Sequence, residues 1–346
     1  MPSISPNDTV LVTCASGFIA VWVCHHLLEA GYKVRGTVRS TSKGDYLVEL
    51  FKSYGPKFKY VIVEDIGKES AFDEAVKGVH GVAHTASPFN FVSEDPKDLI
   101  DPAVKGTIGI LESVKKYGSD VKRVLATSSI ASVTDGMYHL KIPGTVYTES
   151  DWNTFSIKEI EEKGKDASGI DKYCASKTLA EKAAWEFVEK TKPNWDLATC
   201  CPSMIFGPII HQVSNPSALN TSIATLYNFI YNKESITEEK LLTPNWNFAD
   251  VRDIGLAHVR ALEVEEAGGQ RFIASSSPYC WQDALDALDL PPDFPCGTPG
   301  SGKRLNHIVF SHAKANKILG IQFKSFQDCV RDTVESLEKH GWGVVV

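Results

Sequence analysis

Residues 9–38, TVLVTCASGFIAVWVCHHLLEAGYKVRGTV, decide how the chain is read. The opening TVLVT is apolar and β-branched without alternation, the pattern of a strand buried on both faces. After CASGFIA, the apolar residues Val23, Leu27 and Leu28 follow helical spacing until Gly31. Residues 32–38, YKVRGTV, predict a second strand. Strand, tight turn, helix and strand within about 30 residues form the first unit of a dinucleotide-binding fold. The expected small-residue order, G-x-x-G-x-x-G/A, is met by Gly17 and Ala20 but broken at Cys14. Gly17 lets the backbone approach a pyrophosphate, and Ala20 lets the helix pack on the strand. If the first position needs a positive φ, a cysteine there costs about 1 kcal/mol. So degenerate a turn also fits a generic strand-helix junction, and other stretches have to decide.

The first of these follows the second strand. No acid occurs between Tyr32 and Gly44; Arg39 stands there instead, with Lys43 four residues on. An acid at this place binds a ribose 2′-hydroxyl, whereas two cations suit a 2′-phosphate and so NADPH. A solvent-facing basic loop is the alternative. Further strands are predicted at residues 58–65, 79–86, 121–129, 196–201 and 271–274, with helices at 70–76, 96–117, 219–231 and 254–262. Residues 246–251 read as a return to the sheet, with Asp253 as the helix cap. In a doubly wound sheet ligands gather at the carboxyl ends of strands. Asp65, Ile66, Thr85, Ala86, Ser87, Thr127 and Ser129 fall at such ends. Asp65 and Ile66 would flank an adenine, although Asp65 also suits a plain turn.

Residues 173–177, Tyr-Cys-Ala-Ser-Lys, head an Ala-rich run that predicts a helix to about Thr191. Tyr173 and Lys177 lie one turn apart on one face. An ammonium beside a phenol favours the phenolate and tunes it for proton transfer. Of the 11 tyrosines only Tyr173 has a lysine at i+4. The pair alone fits an ordinary amphipathic helix equally well. A strand-end hydroxyl such as Ser129 can donate to a substrate carbonyl and steady developing negative charge.

A net charge of -7 and a pI near 5.8 argue against nucleic acid or anionic membrane as partner. The densest basic cluster, Lys115, Lys116, Lys122 and Arg123, reads as solvated surface. The N-terminus lacks a signal-peptide pattern, and no stretch nears the ~20 apolar residues of a membrane span. The eight cysteines form no CxxC pair and no metal-ligand spacing, so a reduced cytoplasmic protein without a metal is expected. Residues 297–303, GTPGSGK, imitate a phosphate loop. Arg304 follows where Ser or Thr is needed, and the surroundings are Pro-rich loop and strand, so the match is rejected.

The ordered set TCASGFIA, KVRGTVRS, VIVEDI, GVAHTASP, VLATSS, YCASK and CPSMIFGP spans residues 10–208. It resembles the extended short-chain dehydrogenase/reductases, and among them fungal aldehyde and carbonyl reductases and plant dihydroflavonol reductases. Weaker matches, such as NFADVRDIGLAHVRAL, carry the likeness to about residue 340. The resemblance implies an α/β fold: a Rossmann-type doubly wound parallel sheet with a smaller C-terminal α/β substrate domain. Residues 1–202 would form the NADP-binding domain, with 246–275 returning to it, and 203–245 and 276–346 the substrate domain. It implies NADPH-dependent reduction of a ketone or aldehyde by a monomer or homodimer. Ser129 would polarise the carbonyl, Tyr173 deliver the proton, and Lys177 bind the nicotinamide ribose and lower the tyrosine's pKa. Thr13, Ser16, Gly17, Phe18, Ile19, Pro202 and Ser203 would join the strand-end residues, Arg39 and Lys43 around the cofactor. Phe89 and Phe206 are candidates for an apolar substrate pocket, although aromatics there also serve plain packing. Cys14 departs from the family's glycine and implies weakened NADPH binding or a deliberate substitution. Two other readings stand beside the reductase. One is a sugar-nucleotide epimerase or dehydratase, against which Ile130 and Ala131 replace an acidic pair. The other is a non-catalytic NADPH sensor, a class that tends to lose the Tyr-Lys pair.

Overall fold

Alternation inside the first strand explains how two helical layers come to sandwich one sheet. In the computed structural model β1 (Thr9–Val12) is buried from Val10 onward. Val10 and Val12 join one apolar core, and Leu11 joins a second on the opposite face. The structure describes residues 4–87, 93–134, 144–232, 234, 236–292, 294–305 and 307–343. After β1 come α1 (Phe18–Glu29), β2 (Lys33–Val38), α2 (Thr41–Leu50), β3 (Phe58–Ile62) and β4 (Gly81–His84). Next are α3 (Lys97–Tyr117), β5 (Arg123–Thr127), β6 (Val146–Tyr147), α4 (Phe155–Lys163), α5 (Gly169–Thr191) and β7 (Asp196–Pro202).

The main sheet has seven strands, completed by β8 (Met204–Phe206) and β9 (Phe248–Asp250) not at all but by β10 (Arg271–Ala274). Its order is β10-β7-β5-β4-β1-β2-β3, and every pairing is parallel. The chain runs outward from β1 to β3, then resumes at β4 and runs the other way. That reversal opens a crevice beyond the carboxyl ends of β1 and β4, where such sheets bind ligands. Helices α3 and α5 pack together on one face, while α1 packs against α8 (Val251–Glu263) on the other.

Several expected elements change on folding. Residues 70–78 wind through turns rather than a helix, because Ser70 takes a left-handed φ of 62°. Phe72 and Val76 are still buried, as their spacing predicts. The return at 246–251 does not reach the main sheet, since β9 pairs only with β8 in a separate two-stranded ribbon. The cap of α8 is Asp250, which accepts from the Arg252 N–H, rather than Asp253. Asp253 lies one turn in and accepts from the Lys324 N–H at 2.7 Å. Beyond these lie α6 (Thr221–Tyr231), α7 (Glu238–Leu242), α9 (Trp281–Leu285), β11 (Val309–Phe310) and α10 (Phe326–Lys339). Among the described residues of the stretch 304–310 that reads as a strand, Val309 and Phe310 pair with β6. The rejected phosphate-loop match ends in a short 3-10 turn, Ser301–Arg304. No helix among the described residues is long and apolar enough to cross a membrane.

Arg123 departs from the reading of its cluster as solvated surface, which Lys115 and Lys116 fit. It has no exposed area and grips Asp196 with two hydrogen bonds, at 2.6 and 3.0 Å. Its remaining N–H groups donate to the carbonyls of Ala261, Val264 and Glu265. One guanidinium thus joins β5, β7 and the end of α8. The chain passes so near that a Cβ on Gly268 would lie 2.2 Å from Asp196 Oδ2. Removing one partner of a buried pair strands the other charge. Arg123→Met is expected to lower unfolding free energy by about 3 kcal/mol, measured by urea denaturation. A loss below about 1 kcal/mol, the range of an exposed pair, would contradict this account.

Candidate active site

The site is assembled at the carboxyl edge of the sheet. In the turn after β1, Cys14 adopts φ 50°, the left-handed conformation that its place in the small-residue pattern demands. The Cys14 N–H donates to Thr37 Oγ1 at 3.0 Å, and the Ala15 N–H to the Thr37 carbonyl at 2.8 Å. Gly36 permits this contact, since a Cβ there would meet that of Ala15 at 2.6 Å. Gly17 is exposed at the N-cap of α1, with no side-chain cap and no acid in the first turn. The free N–H groups of such a terminus fit a phosphate. Ser16 and Ile19 are partly exposed beside it, while Phe18 is buried with its ring against His211.

Arg39 is exposed just past β2 and Lys43 is half-buried in the first turn of α2. Burial pushes the Cys14 thiol up, opposed by the positive charge of Arg39. Asp65 is exposed and accepts from the Gly67 N–H at 2.8 Å, so its carboxylate forms a turn; Ile66 packs beside Gly106.

Some expected contact residues are turned inward. The Thr13 hydroxyl is fully buried and accepts from the N–H groups of Thr85 and Ala86, each at 3.0 Å, which pins β4 to β1. It lies 3.1 Å from His84 Nδ1. Thr127 Oγ1 lies 2.7 Å from His258 Nε2. Phe206 is contrary to expectation a core residue: it is fully buried, edge-on to Tyr279 at 5.7 Å and to Phe326 at 6.2 Å. Its strand presents it to the aromatic cluster of the C-terminal elements instead of the cleft. Phe89 lies outside the described residues.

Helix α5 carries Tyr173 and Lys177. Ser168 caps it, accepting from the Asp171 N–H, so Tyr173 sits in the second turn and not at the head. Lys177 Nζ lies 5.9 Å from the centre of the Tyr173 ring. Ser129, two residues past β5, hydrogen-bonds the Tyr173 phenol and also accepts from the Ala131 N–H at 3.1 Å. The three expected catalytic residues therefore meet. Burial pushes the Tyr173 phenol up, and the Ser129 hydrogen bond only partly opposes it. The net shift is upward, against the lowering by Lys177 that the spacing led us to expect. Burial likewise pushes Lys177 down to about 8, with the Glu181 carboxylate opposing.

A small cleft beside Lys177 is lined by His84, Ala86, Ser87, Thr127 and Ser128. The Ser203 hydroxyl, buried after Pro202 at the end of β7, has no hydrogen-bond partner among the described residues. An orphaned hydroxyl at this edge fits a polar ligand group such as a carboxamide. Sequence reasoning missed Glu181 and Arg271, which lie directly behind the site. The available signal was Glu181, four residues after Lys177 on the same helix face, together with an arginine opening a buried strand.

Comparison with known proteins places the chain. Residues 10–274 match the NAD dependent epimerase/dehydratase family. The ketoreductase azaE of Aspergillus niger is 37% identical, over 95% of this chain and 97% of that protein. The NADPH-dependent methylglyoxal reductase GRE2 of Saccharomyces cerevisiae is 36% identical, over 96% and 98% respectively. The crystal structure of yeast methylglyoxal/isovaleraldehyde reductase Gre2 complexed with NADPH superposes with a TM-score of 0.83. It is 34% identical to this chain and covers 97% of it and 100% of its own chain. With its parallel seven-stranded sheet and these likenesses along nearly its whole length, the chain belongs to the NAD dependent epimerase/dehydratase family, as an extended short-chain dehydrogenase/reductase.

Proposed function

We propose that this protein reduces ketones or aldehydes to alcohols with NADPH. The meeting of Ser129, Tyr173 and Lys177 at the ligand-binding edge of the sheet carries the proposal. The names of its relatives, a ketoreductase and an NADPH-dependent methylglyoxal reductase, support the substrate class and the cofactor. The bare N-terminus of α1 would hold the pyrophosphate, Arg39 and Lys43 the 2′-phosphate, and Ser203 the carboxamide. NADPH bound there supplies the hydride. The Ser129 hydroxyl donates to the carbonyl oxygen and steadies the charge that develops on it. Burial keeps the Tyr173 phenol protonated, which is the state a proton donor needs. Once the proton has left, the Lys177 ammonium stabilises the phenolate.

Epimerase or dehydratase chemistry has less support. Dehydration needs an acid beside the strand-end hydroxyl, and the nearby Glu181 is committed to Arg271.

Wild type should consume NADPH with a panel of aryl ketones, β-keto esters and aldehydes, and use NADH poorly. Tyr173→Phe should lose at least about 100-fold in kcat while still binding NADPH, as removal of a general acid does. Equal activity in Tyr173→Phe would refute the proposed role of the phenol. Cys14→Gly relaxes the left-handed turn. Its NADPH Kd, measured by fluorescence titration, should fall by up to about 5-fold, the equivalent of ~1 kcal/mol of backbone strain. An unchanged or raised Kd would show that cysteine is well suited to the turn.

A further inference from the structure

The carboxylate of Glu181 sits buried one helical turn past Lys177 and is surrounded by donors from three other parts of the fold. Ser128 and Ser132 each donate a hydroxyl to its Oε2 at 2.6 Å. Thr199 on β7 donates to Oε1 at 2.8 Å. From β10, Arg271 donates through Nε to Oε1 at 2.8 Å and through Nη2 to Oε2 at 3.2 Å. Arg271 also donates to the Ser132 carbonyl and hydroxyl, and to the carbonyls of Glu149 and Asp151. Its guanidinium lies over the Trp152 ring at 3.7 Å.

Ser129 is bracketed by two residues that this carboxylate holds. Ser128 precedes it, and Ser132 closes the 3-10 turn after it, with its Oγ 2.7 Å from the Ser129 carbonyl oxygen. We propose that Glu181, locked by Arg271, is a positioning residue that fixes the Ser129 turn against Tyr173 and supplies the counter-charge for Lys177. Arg271 lets a buried carboxylate stay ionised: burial pushes Glu181 up, but the guanidinium and the serine hydroxyls outweigh it and hold the carboxyl below its usual range. The groups facing Lys177 are Tyr173 and Glu181 on its own helix and His84 on β4. His84 is held neutral by burial and by Lys177 itself, its pKa pushed down to about 3. Among the described residues, Glu181 is the negative charge that opposes the downward push of burial on Lys177.

The inference rests on the reductase reading, and its test separates the two. Wild-type turnover of NADPH with a carbonyl substrate establishes the reading; without turnover the reading itself fails. With turnover in hand, Glu181→Gln keeps the side chain's shape and removes its charge. We expect kcat to fall about 30-fold, as for a misplaced catalytic group, with the carbonyl KM and NADPH Kd changed less than about 3-fold. The alkaline limb of kcat should move to lower pH, because Lys177 loses the charge that holds its pKa up. Should Glu181→Gln fail to fold, Ser128→Ala and Ser132→Ala each remove one hydroxyl from the shell around Glu181 and should each lower kcat about 5-fold at unchanged NADPH affinity. An unshifted limb in a folded Glu181→Gln, or wild-type kcat in both serine variants, would overturn the proposal.

Discussion

A single buried carboxylate organises the chemistry of this molecule. Glu181 draws together α5, the turn after β5, β7 and β10, and those elements carry or border Tyr173, Lys177 and Ser129. A buried carboxylate is costly unless paired and fully hydrogen-bonded. Here that need is met by Arg271 and three hydroxyls, so the cost of desolvation becomes a demand for one geometry. The same logic recurs at Arg123, where burial of a guanidinium ties β5 and β7 to the end of α8. One pair ties β7 to α8 at the strand's start, through Asp196, and the other ties it to α5 at the strand's middle, through Thr199.

At the other side of the crevice the constraint is backbone geometry. The turn after β1 must pass close to β2, which Gly36 allows, and must leave α1 uncapped at Gly17. Cys14 accepts a left-handed φ of 50° to do so. That strain is local, of about 1 kcal/mol, and small beside a core in which most apolar side chains of β1, β4, β5 and β7 have no exposure. The fold tolerates the cysteine because only φ, not space, is against it. Thr13 and Thr85, by binding to each other, then hold the ends of β1 and β4 in register beneath the site.

Much of this was legible in the residues. The βαβ unit, the parallel strands and the juxtaposition of Ser129 with Tyr173 and Lys177 follow from periodicity, spacing and the position of strand ends. What was not legible depended on partners remote in sequence. Arg123 reads as surface until Asp196, 73 residues away, is brought beside it. Phe206 reads as a pocket wall until Tyr279 and Phe326 enclose it. The strand at 248–250 has the right composition for the main sheet, but β8 offers the nearer parallel edge. Residues 70–78 carry helical spacing that the left-handed Ser70 breaks. The pKa balance was also hidden. Spacing placed an ammonium beside the phenol, yet burial decides the direction of both shifts.

The central claim is that hydride passes from the nicotinamide to a carbonyl carbon while Tyr173 supplies the proton. The most direct measurement uses NADPH deuterated at the transferring position with an aryl ketone and follows the label by NMR. The account predicts deuterium on the carbinol carbon of the released alcohol, one label for each NADPH consumed, and solvent hydrogen on its oxygen. Label retained on the cofactor, with substrate isomerised or dehydrated and no net NADPH oxidation, would contradict it.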